Sequence, residues 1–195
     1  HDLDIVRKIS RTIKRDFLKK PCIIVGGPHP SIAPQHTLDF LADVDYAFQG
    51  EAEDGFASLV RHMLANKGSS NHDTSVFLSS VPGMVFREED GTLRVNARIY
   101  SNNLDRFGFP DWRKIPPDRY FKTCHGVFYR NERFAPIFTS RGCDRACSFC
   151  AAHAVMGRRI RRRSAAHVVK EIEMLVRQYR IGEIQILDDN FTADK

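Results

Sequence analysis

The chain has 195 residues, 42% of them hydrophobic and 28% charged, which is the composition of a globular protein. The sequence shows no signal peptide and no apolar run near the roughly 20 residues of a membrane helix, so we expect no membrane span. The net charge of +6 comes from residues 141–163, where seven arginines accompany one aspartate, so nucleic acid is not favoured as a partner.

Five cysteines form an odd set, and three of them fall within residues 143–150. Crowding of this kind without a secretory signal is typical of reduced, metal-binding cysteine in the cytoplasm. The chain begins at His1 and stops just after a predicted strand. We therefore expect a fragment of a longer protein.

The first third of the chain predicts alternating helices and strands. Apolar residues at helical spacing, a Pro21 that ends the first helix, and short apolar runs give the order helix, strand, helix, strand, helix. These elements are predicted at residues 3–18, 22–25, 31–41, 44–48 and 54–65, with a polar loop at 67–75. The order predicts the later part of a doubly wound α/β domain, with Cys22 in the core of the first strand.

Residues 76–132 have a different character. Turn signals at Pro82-Gly83 and Asp90-Gly91 flank short strand-like runs, and proline-rich segments follow. The pattern predicts an ordered connector with a small hairpin. Cys124 and His125 lie here without a third orienting group, so they are predicted to be structural rather than catalytic.

The α/β alternation returns near residue 134. A strand at 135–140 runs into the cysteines, Ser164 is a predicted N-cap for a helix to about Tyr179, and a strand at 183–187 ends in Asp188-Asp189-Asn190. This is the start of a β-α-β unit with a large loop after its first strand. In β/α barrels such loops carry the chemistry.

Cys143, Cys147 and Cys150 form a C-x3-C-x2-C motif that provides three thiolates for a metal. A structural zinc site needs a fourth protein ligand, and His153 would complete a Cys3His set. Ferredoxin-type clusters use four cysteines. The remaining interpretation is a [4Fe-4S] cluster with one iron left open for another molecule.

With Phe149 as the aromatic residue, C-x3-C-x-aromatic-C after the first strand of a β/α barrel resembles the radical S-adenosylmethionine (AdoMet) superfamily. The resemblance implies that AdoMet fills the open iron site and that an electron from the cluster cleaves it to a 5'-deoxyadenosyl radical. It also implies that Phe149 lines the adenine side and that an electron donor such as flavodoxin or ferredoxin is a partner. Asp188 or Asp189 would contact the methionyl amino group, although an Asp pair at a strand end is also typical of a cap or turn.

The run IIVGGPHPS, the segment VDYAFQGEAEDGF and the arginine-rich stretch after the cysteines resemble the cobalamin-binding subgroup of that superfamily. The resemblance implies that Gly26 and Gly27 lie along the nucleotide tail of cobalamin, where the lack of side chains permits close approach. His29 is expected to be a solvated loop residue rather than a cobalt ligand. The implied domains are part of a cobalamin-binding domain (1–68), a linker (69–132) and part of a radical AdoMet domain (133–195).

The predicted fold class is therefore α/β, a partial Rossmann-like domain followed by the start of a partial TIM-type barrel. The resemblance implies a cobalamin-dependent radical AdoMet enzyme that methylates or oxidatively cyclises a small molecule. The run Arg158–Arg163 is expected to be solvated or to attract an anionic substrate. Two alternatives stay open: a radical AdoMet tRNA methylthiotransferase, and a zinc-binding interaction module that uses His153.

Overall fold

The computed structural model describes residues 2–66, 72–119 and 128–193. Cys124 and His125, predicted to be structural, lie outside these residues. The chain divides into two compact units, His1–Tyr100 with Ser148–Met156, and Ser101–Cys147 with Gly157–Lys195. The predicted domain boundaries at residues 68 and 132 stay predictions.

The helices and strands follow the predicted alternation. The helices are α1 (Asp2–Asp16), α2 (Pro28–Ile32), α3 (Pro34–Phe40), α4 (Glu53–Ala65), α5 (His72–Ser80), α6 (Ala152–Met156) and α7 (Ala165–Tyr179). The strands are β1 (Ile24–Val25), β2 (Tyr46–Phe48), β3 (Met84–Arg87), β4 (Leu93–Val95), β5 (Phe134–Ile137), β6 (Ser140–Arg141), β7 (Arg161–Arg162) and β8 (Glu183–Ile186).

The first unit contains a sheet in the order β1-β2-β3-β4. β1 and β2 are parallel, whereas β3 and β4 form an antiparallel hairpin that pairs with β2 through Tyr46 and Phe86. The hairpin that the sequence placed in a connector is thus part of this sheet.

Both faces of this sheet are covered by apolar side chains. Alternate residues of a strand point to opposite faces, so Met84 and Phe86 belong to one cluster and Val85 to another. The first cluster includes Leu59 of α4 and the second includes Leu38 of α3. Helices on both faces are the arrangement expected of a doubly wound α/β domain.

Three predicted elements differ in detail. The helix predicted at 31–41 is two short helices, because Pro34 has no N–H to continue the ladder and begins α3 instead. The predicted polar loop at 67–75 ends earlier, since α5 begins at His72. Cys22 is exposed and precedes β1, because Ile23 N donates to the Asp45 carboxylate at 2.7 Å rather than to a strand partner.

The second unit contains the predicted β-α-β element. β5 and β8 are parallel, and α7 connects them. Ser164 caps α7 as predicted, accepting a hydrogen bond from His167 N at 3.2 Å. Leu175 of α7 is buried with Ala135, Ile137, Ile181 and Trp112 in the core of this unit.

A buried ion pair crosses the same unit. The Arg163 guanidinium lies 2.6 Å from the Glu171 carboxylate, and Glu171 is only 1% exposed. Trp112 Nε1 donates to the other Glu171 oxygen at 3.0 Å. Because the two charges are paired in a buried position, removal of one would leave the other uncompensated. The proline-rich segment before residue 119 is thereby attached to α7.

We predict that Glu183→Gln destabilises the protein more at pH 7 than at low pH. The Glu183 carboxylate accepts hydrogen bonds from Arg130 N at 2.6 Å and Asn131 N at 2.9 Å, which lowers its pKa from 4.5. A lowered pKa contributes stability above the unfolded-state value, and this contribution is lost as the pH falls through the folded-state value.

Urea unfolding at pH 7 and again well below pH 4.5 measures this difference. Glu173→Gln is the matched control, because Glu173 is exposed on α7. A Glu183→Gln deficit that does not shrink on acidification would contradict the prediction.

Candidate functional site

The first cysteine follows a glycine that its surroundings require. Gly142 has φ +95°, and a Cβ there would lie 2.3 Å from Arg159 O. Cys143 N donates to Gly157 O at 3.1 Å. The backbone around Cys143 is therefore fixed against the residues that precede β7, within the second unit. The Cys143 side chain is half-buried, and that of Cys147 is exposed.

The third cysteine lies in the first unit, immediately before α6. Ala152 N donates to Cys150 Sγ at 3.5 Å, and the thiol is half-buried. Amide donors directed at sulfur stabilise thiolate charge and are among the contacts that tune iron–sulfur clusters. His153, the alternative zinc ligand, lies in α6 and is half-buried.

The three cysteines are free thiols. Over residues 2–66, 72–119 and 128–193, no three His, Cys, Asp or Glu side chains are grouped so that they could hold a metal ion. Phe149 is 91% exposed, so its ring is open to a ligand. The predicted roles of these four residues stay predictions.

The two aspartates after β8 have different environments. The Asp188 carboxylate accepts hydrogen bonds from Thr139 N at 2.7 Å, Thr139 Oγ1 at 2.5 Å and Ser140 Oγ at 2.8 Å. It thereby ties the end of β8 to the residues that lead from β5 into β6. Asp189 is exposed. The contacts of Asp188 are therefore those of an aspartate that caps or closes a turn. Asp189 is the more accessible of the two to a ligand.

The glycine pair lies at the carboxyl end of β1, beside the parallel strand β2. Gly27 has φ +101° with no atom within 4 Å of an added Cβ, and the nearest atom to a Cβ on Gly26 is Phe48 O at 3.9 Å. Both glycines are exposed. Ligands of open α/β sheets bind outside the carboxyl ends of parallel strands, and this backbone is uncovered at such a place.

His29 is not the solvated loop residue that was expected. It lies in α2, half-buried, with its Nε2 3.2 Å from His36 Nδ1. The helix begins at Pro28 because proline is well suited to the first turn, where its missing N–H costs nothing. The two imidazoles are therefore within hydrogen-bond distance, with donor and acceptor set by their tautomers.

The arginine run is only partly solvated. Arg161 is 5% exposed, with Nη1 donating to Ser101 O at 3.2 Å, and Arg163 pairs with Glu171. The expectation of a solvated run is wrong for these two, because each has buried oxygen partners in the second unit. Arg158, Arg159 and Arg162 are exposed.

The sequence analysis missed a polar network in the first unit. Gln49 is 5% exposed at the end of β2, and its Oε1 accepts a hydrogen bond from Arg98 Nε at 2.7 Å. The other guanidinium nitrogens of Arg98 donate to Ser31 O and Ala154 O. A buried glutamine directly after an apolar strand was the available signal, since buried amides need partners.

Within the described ranges, no helix is long and apolar enough to cross a membrane.

No protein-family model matches the chain. An uncharacterized methyltransferase of Pyrococcus horikoshii is 30% identical over the whole chain, which spans 38% of that relative. Cytidylyl-2-hydroxyethylphosphonate methyltransferase of Streptomyces wedmorensis is 28% identical over 87% of the chain and 34% of the relative. Anaerobic magnesium-protoporphyrin IX monomethyl ester cyclase of Cereibacter sphaeroides is 27% identical over 88% of the chain and 26% of the relative.

Solved structures share the fold. The cobalamin-dependent AdoMet radical enzyme OxsB matches all of the chain over 24% of its own length, with a TM-score of 0.68 and 21% identity. The radical AdoMet methyltransferase TsrM of Kitasatospora setae matches 98% of the chain over 34% of its own length, with a TM-score of 0.64 and 22% identity. The chain spans 24% to 38% of the length of these proteins. It has the α/β fold of a segment of the cobalamin-dependent radical AdoMet enzymes, and the predicted resemblance to that family is confirmed at the level of the fold.

Proposed function

We propose that this chain is the cofactor-binding segment of a cobalamin-dependent radical AdoMet enzyme that methylates or oxidatively cyclises a small molecule. One observation carries the proposal. The C-x3-C-x-aromatic-C motif lies between the first strand and first helix of the β-α-β unit, in a chain similar to such enzymes over its whole length. Relatives named as methyltransferases and as a cyclase support both reaction types.

The donor chemistry of the cysteine segment fits an iron–sulfur cluster. Cys143, Cys147 and Cys150 would hold it, since thiolates are the usual ligands of such clusters. When bound, the cluster supplies the electron that cleaves AdoMet. The chain contributes the tight backbone at Gly142, the Ala152 N–H directed at Cys150 Sγ, and the exposed Phe149 ring for the adenine.

The environments of the two aspartates favour one of them as an AdoMet contact. All three donors around Asp188 come from the chain itself, whereas Asp189 is exposed. A carboxylate and an ammonium form a strong charge-assisted hydrogen bond. We therefore assign Asp189 to the methionyl amino group and Asp188 to holding the strand ends together.

Cobalamin is assigned to the uncovered turn at Gly26 and Gly27. A bulky ligand can approach a backbone closely only where no side chain projects, and both positions leave that space open. Among similar structures, OxsB was determined with aqua-cobalamin and AdoMet, and TsrM with cobalamin and a [4Fe-4S] cluster.

The remaining assignments are the substrate, the electron donor and the compartment. The exposed Arg158, Arg159 and Arg162 favour an anionic small molecule over a neutral one, because exposed cationic side chains raise the local concentration of anions. We also propose a flavodoxin- or ferredoxin-type electron donor and a reducing, cytoplasmic location, since free thiols persist there.

The first prediction concerns the cluster. Anaerobic reconstitution of the full chain with iron and sulfide should give a brown protein with about four irons per chain. Cys143→Ser, Cys147→Ser and Cys150→Ser should each lose most of that iron, because the motif provides three thiolates and each variant removes one of them. Cys22→Ser, which removes an exposed thiol elsewhere, is the matched control.

Iron analysis and electron paramagnetic resonance measure the result, and added AdoMet should change the spectrum. His153→Ala should keep the iron. A colourless protein that binds zinc and loses it in His153→Ala would identify the interaction module instead. Salt-sensitive RNA binding with no cobalamin binding would support the tRNA methylthiotransferase.

The second prediction concerns Gly26. Gly26→Leu should change the free energy of unfolding by less than about 0.5 kcal/mol, because the nearest atom to its Cβ would be Phe48 O at 3.9 Å, an ordinary contact, on an exposed segment. The same side chain should weaken cobalamin binding by about tenfold or more, equivalent to at least ~1.4 kcal/mol.

Absorbance titration with cobalamin and urea unfolding measure these two quantities. Lys20→Leu is the control, since it adds leucine at an exposed position upstream of β1. Unchanged cobalamin affinity in Gly26→Leu would remove the glycine pair from the proposed site.

The third prediction separates Asp188 from Asp189. Asp188→Asn should lower the free energy of unfolding by about 1–3 kcal/mol. The asparagine amide has one accepting oxygen and one donating nitrogen, so it cannot accept hydrogen bonds from all three donors. Asp189→Asn should leave stability unchanged and weaken AdoMet binding by about tenfold.

Urea unfolding and calorimetric titration of the reconstituted protein with AdoMet provide the two readouts. The neighbouring variants serve as controls for each other. If Asp189→Asn binds AdoMet as tightly as the parent, the assignment of Asp189 is wrong.

A further inference from the structure

Arg98 contacts three separate segments of the first unit. Its Nε donates to Gln49 Oε1 at 2.7 Å, Nη1 donates to Ala154 O, and Nη2 donates to Ser31 O. A guanidinium carries five N–H donors in one plane, so it can reach acceptors in three directions at once. The side chain is half-buried, unlike the exposed Arg94 four residues earlier.

Two of these acceptors are backbone carbonyls that belong to the last four residues of very short helices. Ser31 lies near the end of α2 and Ala154 in the middle of α6, and each helix has five residues. The last four carbonyls of a helix have no intrahelical partner and carry partial negative charge. One cation therefore satisfies carbonyls from both helices.

The space for Arg98 is formed by the segment that follows β2. Gln49 Nε2 donates to Asn96 O at 2.7 Å, which fixes the amide that faces Arg98. Gly50 has φ +69°, and a Cβ there would lie 3.3 Å from both Arg98 Cδ and Tyr100 Oη. A glycine at position 50 thus leaves room for both side chains.

Tyr100 makes a second contact with α6. Its hydroxyl donates to Val155 O at 3.2 Å, next to the carbonyl that accepts from Arg98. A five-residue helix is too short to be stable by itself, because nucleation is costly. These two side chains therefore stabilise α6 through its carbonyl groups.

The two helices joined by Arg98 follow the two sites assigned above. α2 begins directly after Gly27, and α6 begins two residues after Cys150. Ala152 N, at the first residue of α6, donates to Cys150 Sγ. Movement of α6 would therefore move the donor that contacts the third thiol.

We propose that Arg98 is a positioning residue that holds Cys150, through α6, in register with the glycine turn at residues 26–27. A role of Arg98 in catalysis rests on the proposed function, because Arg98 would fix the turn assigned to cobalamin relative to a cysteine assigned to the cluster. The anchoring of α6 itself requires no cofactor. It is therefore tested first on the full chain without cluster or cobalamin.

The test compares Arg98→Met with Arg94→Met. Methionine keeps an apolar stem and removes the donors, and Arg94 pairs only at the surface, with Glu88 at 2.6 Å. Each reduced protein is alkylated with N-ethylmaleimide, and the rate at each cysteine is read by mass spectrometry. We expect the Cys150 rate to rise about tenfold in Arg98→Met, because hydrogen bonds to a charged group are lost. The rate at the exposed Cys147 should not change in either variant.

Two further variants separate positioning from general destabilisation. Arg98→Lys keeps the charge but not the planar fork, so we expect a smaller rise in the Cys150 rate than in Arg98→Met. Gly50→Ala keeps Arg98, but the added methyl group would crowd the Arg98 side chain. We therefore expect the same selective rise in the Cys150 alkylation rate. Hydrogen exchange of the α6 amides should accelerate in both Arg98→Met and Gly50→Ala.

Equal alkylation at Cys150 and unchanged α6 exchange in Arg98→Met would overturn the proposal. A parallel rise at Cys22, Cys147 and Cys150 with a loss of thermal stability would also overturn it, since that outcome is general unfolding. In reconstituted protein, Arg98→Met should shift the paramagnetic resonance of the cluster. If the parent takes up no cluster, the proposed function fails, whereas the alkylation result still decides whether Arg98 anchors α6.

Discussion

Satisfaction of backbone carbonyls is the constraint on which the first unit depends. Its short helices α2 and α6 have too few residues to pair most of their own carbonyl oxygens, and side chains provide partners for three of them. Arg98 and Tyr100 provide those partners, and Gln49 fixes the guanidinium from its third side. The glycine turn and the residues after Cys150 are thereby held by contacts that are polar rather than apolar. Such contacts are directional, so they specify position more narrowly than hydrophobic packing does.

The sequence predicted the parts of the fold that are set locally. The helix from Ser164 follows from its cap and from a periodic apolar face, and the strands β3 and β4 follow from the turn signals at either end. It could not place the β3–β4 hairpin, because pairing with Tyr46 of β2 is a long-range contact that leaves no local pattern. The same reason explains the miss at Arg98. Its acceptors at Ser31 and Ala154 are distant in the chain, and they are backbone oxygens, which no residue type reveals.

Residue type also failed to separate neighbours with different roles. Asp188 and Asp189 are chemically identical, yet one carboxylate has three donors from the chain and the other is exposed. Within the arginine run, Arg163 is paired with a buried carboxylate while Arg159 is exposed. The sequence alone does not distinguish these arginines from one another. The structure divides them by burial, because the guanidinium groups of Arg161 and Arg163 have oxygen partners in the second unit whereas Arg158 and Arg159 are exposed.

Four of the residues assigned to cofactors are left uncovered by the chain, namely Gly26, Gly27, Phe149 and Asp189. Phe149 is 91% exposed, although burial of a phenylalanine side chain is favourable by about 1.5–3 kcal/mol. The backbone at Gly27 has no neighbour within 4 Å of an added Cβ, although the packed Gly55 would place one 2.6 Å from Pro82 O. An exposed aromatic ring next to a cysteine and a bare turn at a strand end bring no stability to the chain itself. Covering these groups with a ligand therefore contributes favourable free energy to binding. A flat nucleobase and a bulky macrocyclic cofactor are ligands that can cover such surfaces.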